Sequence, residues 1–282
     1  MASFLVQAVL CLCAASHAAA APADQASPLP AAAAFDGPLD LTHPLSKAAQ
    51  NWPGARGFNF TLQVAQEFPE FGGFVAFNEF CMAEHLGTHL DAPYHFNQAG
   101  WKVHEIPVSR LVAPGVLLDA SAEAAANRDL FLGVEALEAW EARHGRVAEG
   151  SVVLVRFGWA NKYADRKDYF GVATDDRTSN DTEHLSFPSL SAELARTLAA
   201  RKVAGVGVDT PSVDPGKAGD HAPLAHRALA AANAFNLENV NLATTLLPPT
   251  GFTLLVMPTL IVGGTGAPVR IVALPGKGAL AA

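Results

Sequence analysis

The stretch HLGTHLDAPYH, residues 85–95, holds three histidines and an aspartate within eleven positions. A glycine and a proline inside it disfavour a continuous helix. In a strand, alternate residues share a face, so His85, His89 and Asp91 would point the same way. A straight strand would still separate His85 and His89 by roughly 13 Å. A single metal site therefore requires the chain to bend, and Gly87 is where it bends at least cost.

The residue types in this stretch indicate a divalent metal site. Imidazole and carboxylate groups suit zinc, manganese or iron, and burying them without a partner is costly. The site holds either one ion on a bent chain or two ions about 3.5–4 Å apart that Asp91 bridges. Pro93 can turn His95 out of the strand register, which leaves His95 beside the metal as a free base. The alternative is a loop with three separately hydrogen-bonded histidines.

The rest of the chain has the composition of a globular protein, with 50% hydrophobic and 16% charged residues. A formal charge of −8 provides no basic surface for nucleic acid or an acidic membrane. Strands and helices alternate in an irregular order, which predicts an α/β fold with a mixed sheet in one domain, residues 36–276. The predicted strands are 57–65, 73–82, 113–120, 151–157, 203–209, 251–262 and 268–274, and the predicted helices are 133–144, 189–202 and one within His221–Phe235.

The first residues are typical of a secretory signal peptide. Residues 1–20 combine an apolar run with small residues suited to cleavage, although no Lys or Arg precedes the run. The run is too short for a comfortable membrane span, so we expect no membrane association of the mature form. We predict that residues 21–35 form a flexible leader and that residues 277–282 form a tail. The alternative for the start of the chain is a disordered alanine-rich extension.

Cysteines and sequons agree with a secreted protein. Cleavage would leave Cys81 as the one cysteine, so we expect no intramolecular disulfide. Cys81 lies in an apolar predicted strand, which favours a buried, inert thiol. Asn59 and Asn180 begin glycosylation sequons and support secretion weakly. The chain lacks a G-x-S-x-G elbow, so serine hydrolase chemistry is disfavoured.

The stretch HLGTHLDAPYH resembles the HxGTHxDxPxH signature of the cyclase family, which includes bacterial-type kynurenine formamidase and isatin hydrolase. Three further segments resemble that family: GVDTPSVDPG at 207–216, AHRALAAANAFNLENVNL at 225–242 and GGTGAPVRIVAL at 263–274. The resemblance implies a swivelling β/β/α domain with a mixed sheet. It also implies a homodimer or homotetramer.

The resemblance assigns roles to particular residues. It implies a divalent cofactor, zinc or manganese, with one or two ions per subunit. The residues that fall on its metal-binding positions are His85, His89, Asp91, His226 and Glu238. His95 falls on the position of the catalytic histidine.

Four more residues are candidates for supporting roles. The segment VRFGW, residues 155–159, carries Phe157 where relatives commonly have threonine. We predict that Phe157 and Trp159 contact the substrate, because an aromatic residue near the metal suits an aromatic substrate. Asp209 and Asp214 either orient the metal ligands from outside the ligand set or cap the backbone of their own loop.

These features predict a metal-dependent amidohydrolase that acts on a small aryl amide. N-formyl-L-kynurenine, cleaved to kynurenine and formate in tryptophan catabolism, is the first expected substrate, with metal-activated water as nucleophile and His95 as proton shuttle. Isatin or another cyclic amide is the enzymatic alternative, since the same attack would open a lactam. A secreted, non-catalytic metal- or ligand-binding protein is the third reading, and an intact His95 argues against it.

Overall fold

The computed structural model describes residues 37–216 and 223–276, all of which belong to the unit Ala32–Ala282. The predicted signal peptide 1–20, leader 21–35 and tail 277–282 lie outside the described residues, as does His221.

The described residues form twelve strands and six α-helices. The strands are Leu39–Asp40 (β1), Asn59–Phe68 (β2), Gly73–Cys81 (β3), His89–Asp91 (β4), Val112–Asp119 (β5), Phe131–Leu132 (β6), Val152–Arg156 (β7), Ser189–Leu190 (β8), Gly205–Val208 (β9), Phe235–Glu238 (β10), Phe252–Pro258 (β11) and Gly266–Pro275 (β12). The helices are Val108–Leu111 (α1), Ser121–Ala126 (α2), Val134–His144 (α3), Arg166–Phe170 (α4), Ala192–Ala200 (α5) and Leu224–Ala231 (α6).

The main sheet closes on itself. Its strands run in the order β1-β12-β11-β5-β7-β9-β10-β4, and β4 also pairs with β12. The pairs β5–β7, β7–β9 and β9–β10 are parallel, and the remaining pairs are antiparallel. The mixed α/β fold predicted from the sequence is therefore confirmed, with a closed sheet at its centre.

Two apolar clusters explain why the central strands are continuous hydrophobic runs. On β7, Val153 and Val155 join a cluster with helix residues such as Trp140 and Leu194. Val152 and Leu154 of β7 join a second cluster, which side chains of β4, β5, β10, β11 and β12 complete. A strand buried on both faces loses the polar alternation of a half-exposed strand.

A separate hairpin, β2 with β3, lies outside the closed sheet. The two strands pair antiparallel from Asn59–Cys81 to Phe68–Gly73, with an irregularity between Phe60 and Leu62. Both strands were predicted from the sequence.

Several predicted elements differ in extent from those of the structure. The predicted helix 133–144 is found as Val134–His144, whereas the predicted strand 251–262 ends at Pro258, where the chain begins to turn towards β12. The helix predicted within His221–Phe235 covers Leu224–Ala231, and Phe235 begins β10 instead. Among the described residues, no helix has the length and apolar character that a membrane span requires.

Candidate metal centre

A bend at Gly87 brings the first two histidines of the motif together. Gly87 has φ +60°, and a Cβ there would lie 3.2 Å from Leu45 Cδ2, so a larger residue would be strained. His89 begins β4 directly after the bend, and its Nδ1 donates to the Gly87 carbonyl at 2.9 Å. The centroids of the His85 and His89 rings are 5.3 Å apart. The structure therefore has the bend that a single site for both imidazoles requires.

Asp91 lies at the centre of the site, with histidines on both of its oxygens. Asp91 Oδ1 is 2.5 Å from His85 Nδ1 and 3.2 Å from His89 Nε2. Asp91 Oδ2 is 3.2 Å from His226 Nε2. Burial favours the neutral acid, but the neighbouring histidines outweigh it and hold the pKa of Asp91 well below its ordinary value. A carboxylate in this position can serve two ions at once.

Helix α6 and strand β10 supply the second half of the site. His226 lies on α6 and Glu238 ends β10, where the antiparallel register places Glu238 beside His89 of β4. Glu238 Oε1 is 3.1 Å from His226 Nε2, and its Oε2 is 3.5 Å from His89 Nε2. All five predicted metal ligands therefore converge, although they come from three different parts of the chain.

The hydrogen bonds behind the imidazoles leave unshared electron pairs facing inward. His89 uses Nδ1 to donate to a backbone carbonyl, and His226 uses Nδ1 to donate to Asp214 Oδ2 at 2.6 Å. In the neutral rings, each Nε2 is then an acceptor that faces the carboxylates of Asp91 and Glu238. Acceptors this close repel one another unless a positive charge lies between them.

The donor set fits a divalent cation. Burial alone would lower the pKa of His89, but Asp91 and Glu238 raise it to about 9, which shows how strongly the site favours positive charge. Two groups of three residues can each hold an ion: His85, His89 and Asp91 form one, and Asp91, His226 and Glu238 form the other. The ligand atoms within each group lie within 4.8 Å of one another. Imidazole with carboxylate is the combination that zinc, manganese and iron accept.

His95 lies beside these ligands and points away from the strand register, as predicted. It ends the 3-10 turn Pro93–His95, and its ring stacks on His85 with centroids 4.1 Å apart. The centroid of His226 is 6.2 Å away. Burial lowers the pKa of His95 to about 4, so the ring is neutral near pH 7.

The two aspartates predicted to support the site have different positions. Asp214 accepts from His226 Nδ1 and from the backbone N–H groups of Ala225 and His226, so it orients a candidate metal ligand and caps the start of α6. Asp209 contacts none of the five predicted ligands in the hydrogen bonds of the described residues. Its carboxylate accepts from the backbone N–H groups of Phe157, Trp159 and Ala160 and fixes that turn.

A cavity of about 510 Å³ opens above the ligands. Trp52, Phe96 and Phe170 form its aromatic surface, and its described lining residues are Gln50, Trp52, His85, His89, Asp91, His95, Phe96, Phe170, Thr182, Pro211, Ser212, Asp214, Pro215, Gly216, Pro223, His226, Glu238 and Asn239. A volume of this size suits a small-molecule ligand.

The aromatic residues predicted to contact the substrate lie elsewhere. Phe157 and Trp159 are 2% and 3% exposed and belong to the apolar cluster that contains Trp140 and Leu194. Neither is among the described residues that line the cavity. The Trp159 indole donates to the Tyr169 carbonyl. Sequence reasoning missed Phe170, which lies on the short helix α4 and carries no motif that marks it.

Comparison with known proteins places this geometry in a family. Residues 39–215 match the family model "Cyclase", described as "Putative cyclase", and this range is more than half of the chain. The chain belongs to the cyclase family. It is a hydrolase of that family.

Cyclase-family relatives of known activity cover most of the chain. An isatin hydrolase of Roseibium aggregatum is 33% identical over 223 residues, which are 77% of this chain and 81% of that protein. A kynurenine formamidase of Bacillus mycoides is 28% identical over 242 residues, which are 84% of this chain and 97% of that protein.

Solved cyclase-family structures share the fold. Isatin hydrolase A from Ralstonia solanacearum matches with a TM-score of 0.72 and 31% identity, over 84% of this chain and 90% of that one. An isatin hydrolase bound to the product analogue thioisatinate matches with a TM-score of 0.74 and 28% identity, over 85% of this chain and 92% of that one.

Proposed function

We propose that this cyclase-family hydrolase cleaves the C–N bond of a small aryl amide with the help of one or two divalent metal ions. The observation that carries the proposal is the convergence of three imidazoles and two carboxylates in a cavity that aromatic side chains also line. The candidate ligands support hydrolysis, and the aromatic side chains support a ring-bearing substrate.

The metal would be held by the five converging residues. Asp91 belongs to both candidate groups, which supports two ions per subunit. When bound, a divalent ion lowers the pKa of water and polarises a carbonyl oxygen. Asp214 keeps the His226 ring oriented for this role, because its carboxylate accepts the proton on the outer nitrogen.

His95 moves the proton in the proposed reaction. It is neutral near pH 7, adjoins the ligands, and is among the residues lining the cavity. Its imidazole accepts a proton from the attacking water and then delivers that proton to the leaving nitrogen, which would otherwise depart as an unstable anion.

Two substrates are candidates, and both carry an aromatic ring beside an activated C–N bond. The identity to the isatin hydrolase, 33%, exceeds the 28% identity to the kynurenine formamidase, so we place isatin first and N-formyl-L-kynurenine second. This order reverses the expectation from the motif alone. The kynurenine formamidase keeps the second candidate strong, because the match covers 97% of its length.

The test is turnover of both substrates by the purified chain. The protein is stripped with a chelator and then assayed alone, with zinc and with manganese, alongside His95→Ala. We expect metal to restore hydrolysis of at least one substrate, and His95→Ala to lower kcat by roughly 10²–10⁴-fold while the metal content is unchanged. Hydrolysis of one substrate alone names the activity. A folded, metal-loaded protein that hydrolyses neither would contradict the proposal.

We also propose that the chain is secreted and assembles as a homodimer or homotetramer. The sequon residues Asn59 and Asn180 are exposed and therefore accessible to glycosylation. Expression in a glycosylating host followed by glycosidase treatment tests secretion, and light scattering of the purified protein tests assembly. Protein retained in the cells, or a strictly monomeric species, would contradict the corresponding part.

A further inference from the structure

Behind His85, a hydrogen-bonded chain connects three side chains. Glu84 Oε2 lies 2.7 Å from Thr265 Oγ1 and 3.0 Å from the Thr265 backbone nitrogen. Thr265 Oγ1 lies 2.9 Å from His85 Nε2. Glu84 precedes the motif, and Thr265 belongs to the segment just before β12, so residues far apart in sequence meet on the outer side of one candidate ligand.

The direction of each hydrogen bond in this chain follows from its members. A backbone N–H can only donate, so Glu84 Oε2 accepts from Thr265. The hydroxyl of Thr265 has one hydrogen, and the same carboxylate oxygen is its acceptor at 2.7 Å. The lone pairs of Thr265 Oγ1 are then left for His85, whose Nε2 must carry the hydrogen.

We propose that Glu84 and Thr265 are positioning residues that make His85 a metal ligand through Nδ1. With the hydrogen on Nε2, the lone pair of the neutral ring is on Nδ1, which lies 2.5 Å from Asp91 Oδ1. His89 and His226 are arranged the other way, because their Nδ1 atoms donate outward and their Nε2 atoms face inward. The inference rests on the proposed metal site and assigns to two further residues a role in building it.

Packing fixes the plane of the His85 ring. It does not distinguish between the two ring orientations that differ by a 180° rotation about the Cβ–Cγ bond. A Cβ at Gly266 would lie 2.5 Å from His85 Cε1, so the ring packs directly against the β12 backbone. His95 stacks on the ring at 4.1 Å. A half-turn of the ring within this slot would exchange its two edges. Thr265 Oγ1, held by Glu84, is a hydrogen-bond acceptor on one side of the ring only. It therefore selects the orientation in which His85 Nε2 faces it.

Zinc affinity gives a readout that does not depend on turnover. Competition against a chromophoric chelator is measured for wild type, Thr265→Val, Thr265→Ser and Glu84→Ala, with Thr253→Val as the matched control. Thr253 lies on β11 and is not among the described residues lining the cavity. We expect Thr265→Val and Glu84→Ala to weaken zinc binding roughly tenfold to a hundredfold. Thr265→Ser and Thr253→Val should keep the wild-type affinity.

Nitrogen NMR of the zinc-loaded, histidine-labelled protein tests the assignment of atoms. His85 signals are identified by their loss in His85→Gln. We expect a zinc-bound Nδ1 and an exchange-protected Nε2–H that Thr265→Val exposes and Thr265→Ser restores. Zinc bound at Nε2, or a Thr265→Val protein with unchanged affinity and an unchanged N–H signal, overturns the inference alone. A folded wild-type protein that binds no zinc overturns the proposed metal site together with it.

Discussion

At the scale of single residues, Asp91 determines how the two halves of the site are connected. One of its oxygens faces His85 and His89, and the other faces His226. Asp91 is 2% exposed, so its charge is compensated by these neighbours rather than by water. Any change of charge at Asp91 therefore acts on both candidate groups at once, whereas a change at His85 acts on one.

The cavity walls predict which aromatic residue affects substrate binding. Trp52 lines the cavity. Trp52→Ala should therefore raise the KM for an aromatic substrate by about threefold to tenfold, because the contact between the Trp52 ring and the substrate ring is lost. Phe157→Thr introduces the residue that the family resemblance leads us to expect at that position. Because Phe157 is 2% exposed in the core, we expect this change to cost about 3 kcal/mol of stability.

Steady-state kinetics and urea unfolding of both variants, on whichever substrate turns over, separate these two effects. If Phe157→Thr had wild-type stability and an altered KM, the prediction that Phe157 contacts the substrate would be supported instead.

His43 predicts how stability depends on pH. Its ring stacks on Tyr163 with centroids 3.6 Å apart, and its Nε2 is buried with no hydrogen-bond partner among the described residues. Burial lowers its pKa from 6.5 to about 4, so the folded state favours the neutral ring. The stability that this preference contributes is present above pH 6.5 and is lost as the pH falls through about 4, with a maximum of about 3 kcal/mol.

His43→Phe keeps the stacking and cannot be protonated. We therefore expect its free energy of unfolding, measured in urea at pH 7 and pH 4.5, to fall less between the two pH values than that of wild type. His184→Asn is the control, because the His184 side chain is 70% exposed and should not alter the difference. Equal acid sensitivity of His43→Phe and wild type would contradict the buried, neutral state of His43.

Sequence reasoning was most successful for residues whose chemistry is encoded locally. The motif at residues 85–95 predicted four residues that the structure brings together, and it predicted the bend at Gly87, because glycine, proline and histidine each constrain short-range geometry. It did not predict which aromatic residues line the cavity. Phe157 and Trp159 follow β7 closely, but Asp209 on a neighbouring strand end holds that turn in the core, and this contact spans residues distant in sequence.

At the scale of elements, β10 was the omission that mattered most for the candidate site, because Glu238 lies at its end. Its sequence, Phe-Asn-Leu-Glu, alternates apolar and polar residues, but four residues directly after an alanine-rich helix are too few to separate a strand from an extension of that helix. The strand exists because it pairs with β9 on one side and β4 on the other. These pairings place Glu238 beside His89, so the second half of the site depends on tertiary contacts that periodicity does not reveal.

The turn after β7 predicts a stability role for Asp209. Its two oxygens accept three backbone N–H groups, from residues 157, 159 and 160. In Asp209→Asn one oxygen becomes an NH₂ group, which leaves at least one buried donor unsatisfied. We expect a loss of about 1–3 kcal/mol.

Urea unfolding at pH 7.5 measures the effect, with the exposed Asp175→Asn as control. A stability equal to wild type would mean that the turn is held by other contacts. Zinc affinity should be unchanged in Asp209→Asn, because none of the five candidate ligands is hydrogen-bonded to Asp209 in the described part of the chain.

At the scale of the whole molecule, closure of the sheet brings the site together. The motif strand β4 pairs with β12 along residues 266–268 and with β10 along residues 236–238. The fold class was predictable from the order of strands and helices, but closure depends on a pairing between the first third and the end of the domain. The candidate ligands on β4, β10 and α6 therefore come together only when the sheet is closed.

Metal removal should consequently lower the stability of the molecule as a unit. Ions that bind only the folded state stabilise it by about 2.7 kcal/mol at a hundredfold excess over Kd, and they also relieve the repulsion among inward-facing acceptors. We expect the Tm measured by calorimetry to fall in excess chelator and to return with zinc. His95→Ala should respond like wild type, because His95 is proposed as a base and not as a ligand, whereas Asp91→Asn should respond weakly. An unchanged wild-type Tm in chelator and in zinc would show that the five residues are held by protons and hydrogen bonds alone.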